Sequence, residues 1–494
     1  MNRRGFVRGV AGVGAAAVVR RAVGLGWAGE AGEVRVRVRP DEVLAEIPAD
    51  FMGLGYEISS VARVGLLSGG DAVYVQLVRT LGAKGVIRVG GNTADYAKYA
   101  GAKYAGARYA GASDSPAGRA VSAPNGTVVN DRVLRDLGGF LQATGWRLIW
   151  GIDLGEGSVA DAVEEAQAVK AAVGERLLAI EIGNEPDLFR HEGHRKTEYG
   201  YAQWHAEYRR YREAIRAALP GQPLAGPDVA GATDWVTRFA ADEQGDVSLL
   251  THHYYREGES AASTLDKLLR PDPKLGPTLA RLRSASKASG VPYRICEVNS
   301  FSGGGRPGVS DSFGAALWVL EYMFALAAAG CAGVNLETGV NQRGFVSSYS
   351  PIGDDEQGHY RATPEFYGML AFAQSGVGRV IRCEVEAGGR NVSAYATRQA
   401  DDQVRLTLLN KESVGDAEVV VEGAQGSGEL KVLRLTGPSL ESKTGVMLGG
   451  AEVGAGGAWR AVRVERVTPE RERLRVRVPA GSAAIVGWVG EDAG

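Results

Sequence analysis

At 494 residues, with 45% hydrophobic and 23% charged side chains, the chain is long enough for one large soluble domain and at least one smaller one. Its 58 acidic and 56 basic residues nearly cancel, leaving a formal net charge of −2, which excludes a basic field that would recruit nucleic acid or an anionic membrane. Cys296, Cys331 and Cys383 are too few and too scattered for a disulfide framework. No CxxC spacing offers a metal site.

The chain opens with Asn2-Arg3-Arg4-Gly5-Phe6-Val7-Arg8, followed by the small apolar stretch GVAGVGAAAVV. That stretch is short of the ~20 residues that span a bilayer. Residues 1–31 resemble a twin-arginine export signal, and the expectation is an exported periplasmic or extracellular protein; a plain basic tail is the other reading. Val34 to Arg39 then alternates valine and arginine, the period of a strand with one wet face. Residues 32–44 are assigned to such a strand, which must find its partner elsewhere.

Over residues 45–376 short apolar runs alternate with helical stretches. The runs end at FMGLGYE, GVIRVGGN, RLIWGIDLG, LLAIEIGNEP, PLAGPDV, VSLLTHHYY, YRICEVNS and AGVNLETG, with helices over 72–82, 158–173, 198–218, 275–288 and 312–329 among those between them. Eight strand–helix units predict a (β/α)8 barrel. Polar residues gather at the strand ends, namely Glu57, Asn92, Asp153, Glu185, Asp228, Tyr254, Glu297 and Glu337, and that end is where barrel enzymes carry their sites. Residues 98–112 repeat KYAGA, KYAGA, RYAGA, whose period suits neither helix nor strand. It reads as a loop whose Tyr99, Tyr104 and Tyr109 either stack on sugars or do nothing. Residues 377–494 turn to short alternating segments spaced by Gly, Asp and Ser, the pattern of an antiparallel β-sandwich that the N-terminal strand could join. The arginines between 460 and 475 are interleaved with acids, as on a solvated sheet.

Two glutamates carry the chemistry. Glu185 closes LLAIEIGNE and Glu297 closes VPYRICE. A carboxylate at the end of a buried strand is costly to desolvate, so two of them on opposite sides of a barrel suggest the acid/base and nucleophile of a retaining glycoside hydrolase. Pro186 is expected to hold Glu185 extended. Asn184 offers an amide to a sugar hydroxyl, and Arg88 and Tyr254 are the candidates for keeping Glu297 charged. Strand alternation is expected to turn Cys296 away from Glu297.

The segments IEIGNEPD and EVNSFSGGGRPGVSDSFGAALWVLEYMFALAAAGCAGVN, with RVGGNTADY and HHYY, resemble glycoside hydrolase family 79, the β-glucuronidases and heparanases. The resemblance runs from about residue 34 to the C-terminus. It implies a cofactor-free retaining hydrolase acting on β-linked uronic acids, with Glu185 as acid/base and Glu297 as nucleophile. Glu57, Asn92, Asn184, His252 and Tyr254 fall on sugar-contacting positions, with His252 and Tyr254 facing the barrel mouth and His253 and Tyr255 turned away. Gly303, Gly304 and Tyr349 match the positions that hold the uronate carboxylate.

The chain also departs from the family. Ser302 stands where better-known members have a tyrosine, and Glu337 in LETG adds a third carboxylate beside the pocket. A retaining glycosidase on a neutral sugar (glucoside, xyloside or arabinofuranoside) and a non-catalytic carbohydrate-binding protein are the alternatives.

Overall fold

The computed structural model describes residues 33–489 apart from 64, 101–126, 197, 341–346, 356, 377, 424–427 and 471–472. The export-like segment and all but the first residues of the KYAGA repeat therefore lie outside the described residues.

Eight parallel strands close into a barrel: Gly53–Glu57, Val86–Gly90, Arg147–Ile152, Leu177–Ile182, Leu224–Val229, Leu249–Tyr255, Tyr293–Asn299 and Val334–Glu337. These are the eight runs read from the sequence, and strand eight closes on strand one through Leu336–Leu54 and Glu337–Gly55. Helices cover 72–81, 159–173, 201–218, 275–289 and 313–328, within three residues of the expected bounds, and further helices run over 131–144, 233–242 and 364–375. No helix among the described residues is long and apolar enough to cross a membrane.

Parity along each strand sorts the side chains. Residues facing the helices, such as Leu54, Ile87, Leu148, Ile180 and Val298, join the main core. Val86, Ile149, Ala179, Ala225, Leu249 and Cys296 form a small, separate apolar layer. On strand two Arg88 follows that layer; on strand seven Arg294 precedes it, bonding Asn335 and three backbone carbonyls. Strand one supplies glycines opposite strand eight because space is needed there. A Cβ on Gly53 would lie 2.5 Å from the Asn335 amide, and one on Gly55 would lie 2.7 Å from a Glu337 carboxyl oxygen.

Outside the barrel, two short two-stranded sheets pair Ile352–Asp354 with Tyr360–Ala362 and Lys98–Tyr99 with Val128–Val129, and ten strands form one larger sheet. The N-terminal strand Glu33–Glu46 joins it, antiparallel to Arg379–Glu386 and parallel to Ala417–Glu422. That parallel pair departs from the wholly antiparallel sandwich read from the sequence, because a strand arriving from the far end of the chain need not follow a hairpin. Its register slips between Arg39 and Val43, where Pro40 cannot donate to the ladder. One face of the sheet builds its own core from Val34, Val36, Val38, Leu406, Leu408, Val419 and Val476. The other face presents Leu409, Leu433, Leu435 and Ile485 to the barrel core, where helices 313–328 and 364–375 are buried on nearly all sides.

Polar ties cross this junction. Trp488 Nε1 donates to Gln374 at 3.0 Å, and Lys411, with its side chain 2% exposed, pairs with Glu321 of helix 313–328. Removing the acid would strand a buried ammonium, whereas removing the amine leaves a carboxylate that is 24% exposed. Glu321→Ala should therefore cost roughly 2–4 kcal/mol, and Lys411→Met less than half of that, as read from urea denaturation midpoints.

Candidate active site

Arg88 is the hub. Fully buried on strand two, its guanidinium donates to Glu181 at 3.2 Å, to Glu297 at 2.8 Å, to Asn184 Oδ1 at 2.8 Å and to Asp228 at 2.5 Å. A planar fork with five donors meets acceptors from strands four, five and seven at once, which no lysine could do. Glu181 and Asp228 do not reach the mouth; they are the counter-charges that let Arg88 sit in the interior.

Glu297 accepts from Arg88 and, through its other oxygen, from the Tyr255 hydroxyl at 2.9 Å. Its position depends on a β-bulge. Ile295 pairs with His252 and Glu297 with His253, so strand seven carries one extra residue there, and the pairing with strand eight slips at the same place. The bulge turns both Cys296 and Glu297 inward, against the expectation that the two neighbours diverge. Cys296 packs into the apolar layer close to Glu181 and Asp228, and burial above all pushes its thiol well above the usual range, so it is no nucleophile.

Glu185 is held differently. Its φ is +48°, not the extended backbone that the following proline suggested, and Asp228 has φ +57°. The two are joined, Glu185 N–H donating to the Asp228 carbonyl at 2.8 Å. Pro186 restricts the far side of Glu185 but does not fix the sign of its φ, which this contact accompanies. Two non-glycine residues in the left-handed region cost of order 1–3 kcal/mol each, and such strain concentrates at sites of chemistry.

The His252 and Tyr254 expectation is overturned. His253 Nδ1 lies 2.9 Å from Glu185 and its Nε2 2.8 Å from Asp228, and Tyr255 reaches Glu297. Leu249, Thr251, His253 and Tyr255 share the inward parity, with Leu249 in the interior layer. His252 points into the wall, where burial drives its pKa down to about 3, and Tyr254 donates to Asp272 outside the barrel. HHYY offers histidine and tyrosine to both faces, so only the register could choose.

Glu57, Asn92 and Asn184 gather as expected. Glu57 accepts from the backbone N–H groups of Asn92 and Thr93 and from the Thr93 hydroxyl. Asn184 donates to Asn92 Oδ1 at 3.0 Å while accepting from Arg88, which leaves the exposed Asn92 amide nitrogen facing outward. Gly303, Gly304 and Gly305 run consecutively at φ +79°, +88° and +76°, a conformation closed to other residues at little cost. Ser348 N–H donates to the Gly304 carbonyl, bringing Tyr349 beside the run, and the Tyr349 ring lies 6.1 Å from that of Tyr255. Tyr99, by contrast, gives its hydroxyl to Asp131 and is not a free stacking platform.

Charge states follow from burial and neighbours. Burial pulls the His253 pKa down, but Asp228, then Glu297 and the bonds to Asp228 and Glu185, carry it well above its ordinary value. Burial pushes the Asp228 carboxyl up, yet Arg88 and His253 hold it well below the usual range. Glu185 is raised by burial and by Glu297, with His253 working against the rise. Glu57 is pushed up to about 7 by burial and by Glu297. One oxygen of Glu185, His253 Nδ1 and one oxygen of Glu297 all lie within 4.8 Å of one another. Within this trio Glu297 is paired with Arg88 and Glu185 with His253, so each carboxyl already has a protein partner.

Residues 394–485 match the C-terminal β domain of glycosyl hydrolase family 79. A β-glucuronidase of Aspergillus niger is 27% identical over 415 residues, covering 75% of this chain and 73% of that protein. One of Neurospora crassa is 27% identical over 385 residues, 68% of this chain and 66% of its own. This chain is a glycoside hydrolase, and its likeness is to family 79. A 4-O-α-L-rhamnosyl-β-D-glucuronidase from Fusarium oxysporum superposes with a TM-score of 0.75 at 19% identity, over 92% of this chain and all of that one. A family 51 arabinofuranosidase from Xanthomonas axonopodis follows at 0.65 and 16%, over 93% of this chain and all of its own. At such identities these two speak for the fold.

Since His253 lowers the Glu185 pKa both by its charge and by its hydrogen bond, removing it raises that pKa. His253→Leu should shift the alkaline limb of the kcat–pH profile to higher pH, while kcat at the optimum falls roughly 10- to 100-fold. An unmoved limb would show that His253 does not govern the acid.

Proposed function

We propose that this hydrolase is a retaining β-glucuronidase, using Glu297 as nucleophile and Glu185 as acid/base. The observation that carries the mechanism is the approach of the two carboxyls within 4.8 Å, which suits the ~5–5.5 Å of a double displacement and leaves no room for the intervening water of inversion.

In the first step Glu297, oriented by Arg88 and Tyr255, attacks the anomeric carbon while Glu185 protonates the departing oxygen. His253 occupies one Glu185 oxygen, so the other carries the proton. As Glu297 becomes an ester its charge disappears, and with it one of the influences raising the Glu185 pKa. Glu185 then serves as base for the water that frees the sugar. Asn184, fixed by Arg88, Asn92 and the Asp95 carboxylate that accepts its backbone N–H, is the natural partner for a ring hydroxyl.

Uronate recognition rests on the glycine run and Tyr349. Among the described residues, the N–H groups of Gly303, Gly304 and Gly305 donate to no protein acceptor, so a concavity of backbone donors is free for an anion. The relatives named β-glucuronidase favour the same substrate. Ser302, shorter than tyrosine, leaves the hold to those amides and Tyr349. Export through the twin-arginine-like segment completes the proposal and places the enzyme where glucuronidated glycans or small glucuronides would meet it.

A chromogenic β-D-glucuronide should be hydrolysed with kcat/KM at least ~100-fold above that for the matching glucoside and xyloside, a floor below the roughly 10⁴-fold discrimination that polar groups left unpaired by the wrong substrate can impose. Glu297→Ala should abolish release, and NMR of the first-formed sugar should show the β-anomer. Turnover of a neutral glycoside alone would transfer the mechanism to a neutral sugar, and first-formed α-anomer would exclude retention.

A further inference from the structure

Glu337 ends strand eight and lies against Gly55 of strand one, its carboxyl filling the space a side chain there would take. It is 4% exposed, and neither oxygen has a hydrogen-bond partner among the described residues. The charged and titratable groups around it come from every side: Tyr56 and Glu57 on strand one, Arg88 on strand two, His253 and Tyr255 on strand six, Glu297 on strand seven, and Tyr349 beyond strand eight. Both cations are committed elsewhere, Arg88 to four acceptors and His253 to Asp228 and Glu185. Burial, the lack of a donor to hold its charge and two other glutamates nearby all favour its neutral form over its charged one. Burial first, then Glu297 and Glu57, push its pKa well above the ordinary value.

Resting on the glucuronidase reading above, we propose that Glu337 determines the tolerance of the pocket for an anionic sugar: neutral, it leaves a uronate unopposed at Tyr349 and the glycine run, and ionised, it expels uronates while sparing neutral sugars. The third carboxylate that seemed at odds with uronate binding thus becomes its pH gate. The backbone supports the coupling: Gly339, two residues past Glu337, packs so closely that a Cβ there would lie 3.2 Å from the Tyr349 carbonyl, and after burial Glu337 is the main influence raising the Tyr349 hydroxyl pKa. The sign is unambiguous: an acid with a raised pKa is neutral at low pH and gains its charge as pH rises, so uronate affinity falls on the alkaline side.

The test compares the KM for a chromogenic β-D-glucuronide with the inhibition constant of D-glucose across pH 5 to 9, in the full chain and in Glu337→Gln, which keeps the shape without the titration. In the wild type the ratio of the two constants should climb at least ~10-fold with pH, the effect of one unfavourable charge interaction of about one pKa unit. In Glu337→Gln the climb should be clearly smaller, leaving only the contribution of Glu57, whose pKa of about 7 falls in the same range. A ratio that climbs equally in both proteins, or a wild-type ratio independent of pH, overturns the inference; the latter needs no variant to fold. A chain that hydrolyses only neutral glycosides at every pH overturns the glucuronidase reading itself, a result distinct from either.

Discussion

Everything in this active site depends on a guanidinium kept out of water. Arg88 has no exposure, and an unpaired cation in that position would be untenable, so the interior must supply anions and acceptors from several strands. Glu181 and Asp228 do so from below and Glu297 and Asn184 from above. The arrangement ties the orientation of the proposed nucleophile to the folding of strands two, four, five and seven together. A buried ion cluster of this kind is weak as a stabiliser, since hydrophobic residues of equal volume would do as well or better. Its use is positional, because a charged fork with fixed geometry places Glu297 and Asn184 at one distance from one point.

The same demand explains why the backbone is irregular where the chemistry sits. Regular strands alternate in and out, and a regular strand seven would turn Glu297 toward the helices if Cys296 faced in. The extra residue in that strand resolves the conflict and lets Cys296 fill the apolar layer while Glu297 reaches Arg88. Strand five slips similarly between Gly226 and Val229, and Asp228 adopts a positive φ there. Its carbonyl then holds Glu185 N–H, and its carboxylate holds His253 and Arg88. Both departures from regular geometry serve one end, to bring carboxyls from different strands to a common depth.

These irregularities also mark the limit of what could be read from residues alone. The eight strands, the shift to β structure near residue 378 and the strand-end positions of Glu185 and Glu297 were legible because apolar runs, turn residues and isolated charges are local signals. Arg88 was legible as a charge inside VIRVG. His253 and Tyr255 were not, since HHYY offers the same residue types to both faces; Asp228 was visible at a strand end, but its bonds to Arg88 and His253 were not, because a bulge leaves no compositional trace. Glu181 carried a signal that was available, a charge within LLAIEIG, but it was overshadowed by Glu185.

Carboxyl count is the remaining constraint, and it favours an acidic working range. Glu57, Glu185, Glu297 and Glu337 all face one small space, and four negative charges there could not be balanced by Arg88 and His253, which already serve Asp228 and Glu181 as well. The protein's answer is to bury some of these groups, which favours their protonated forms: Glu337 with no hydrogen-bond partner among the described residues, and Glu57 with a pKa pushed up to about 7. A pocket built this way has less negative charge to repel an anionic substrate than its sequence suggests. Raising the pH restores that charge group by group, so affinity for a uronate and the protonation of Glu185 would be lost in the same direction. Under the proposed mechanism the acid catalyst and the tolerance for an anion would fail together on the alkaline side, which would match the enzyme to acidic surroundings.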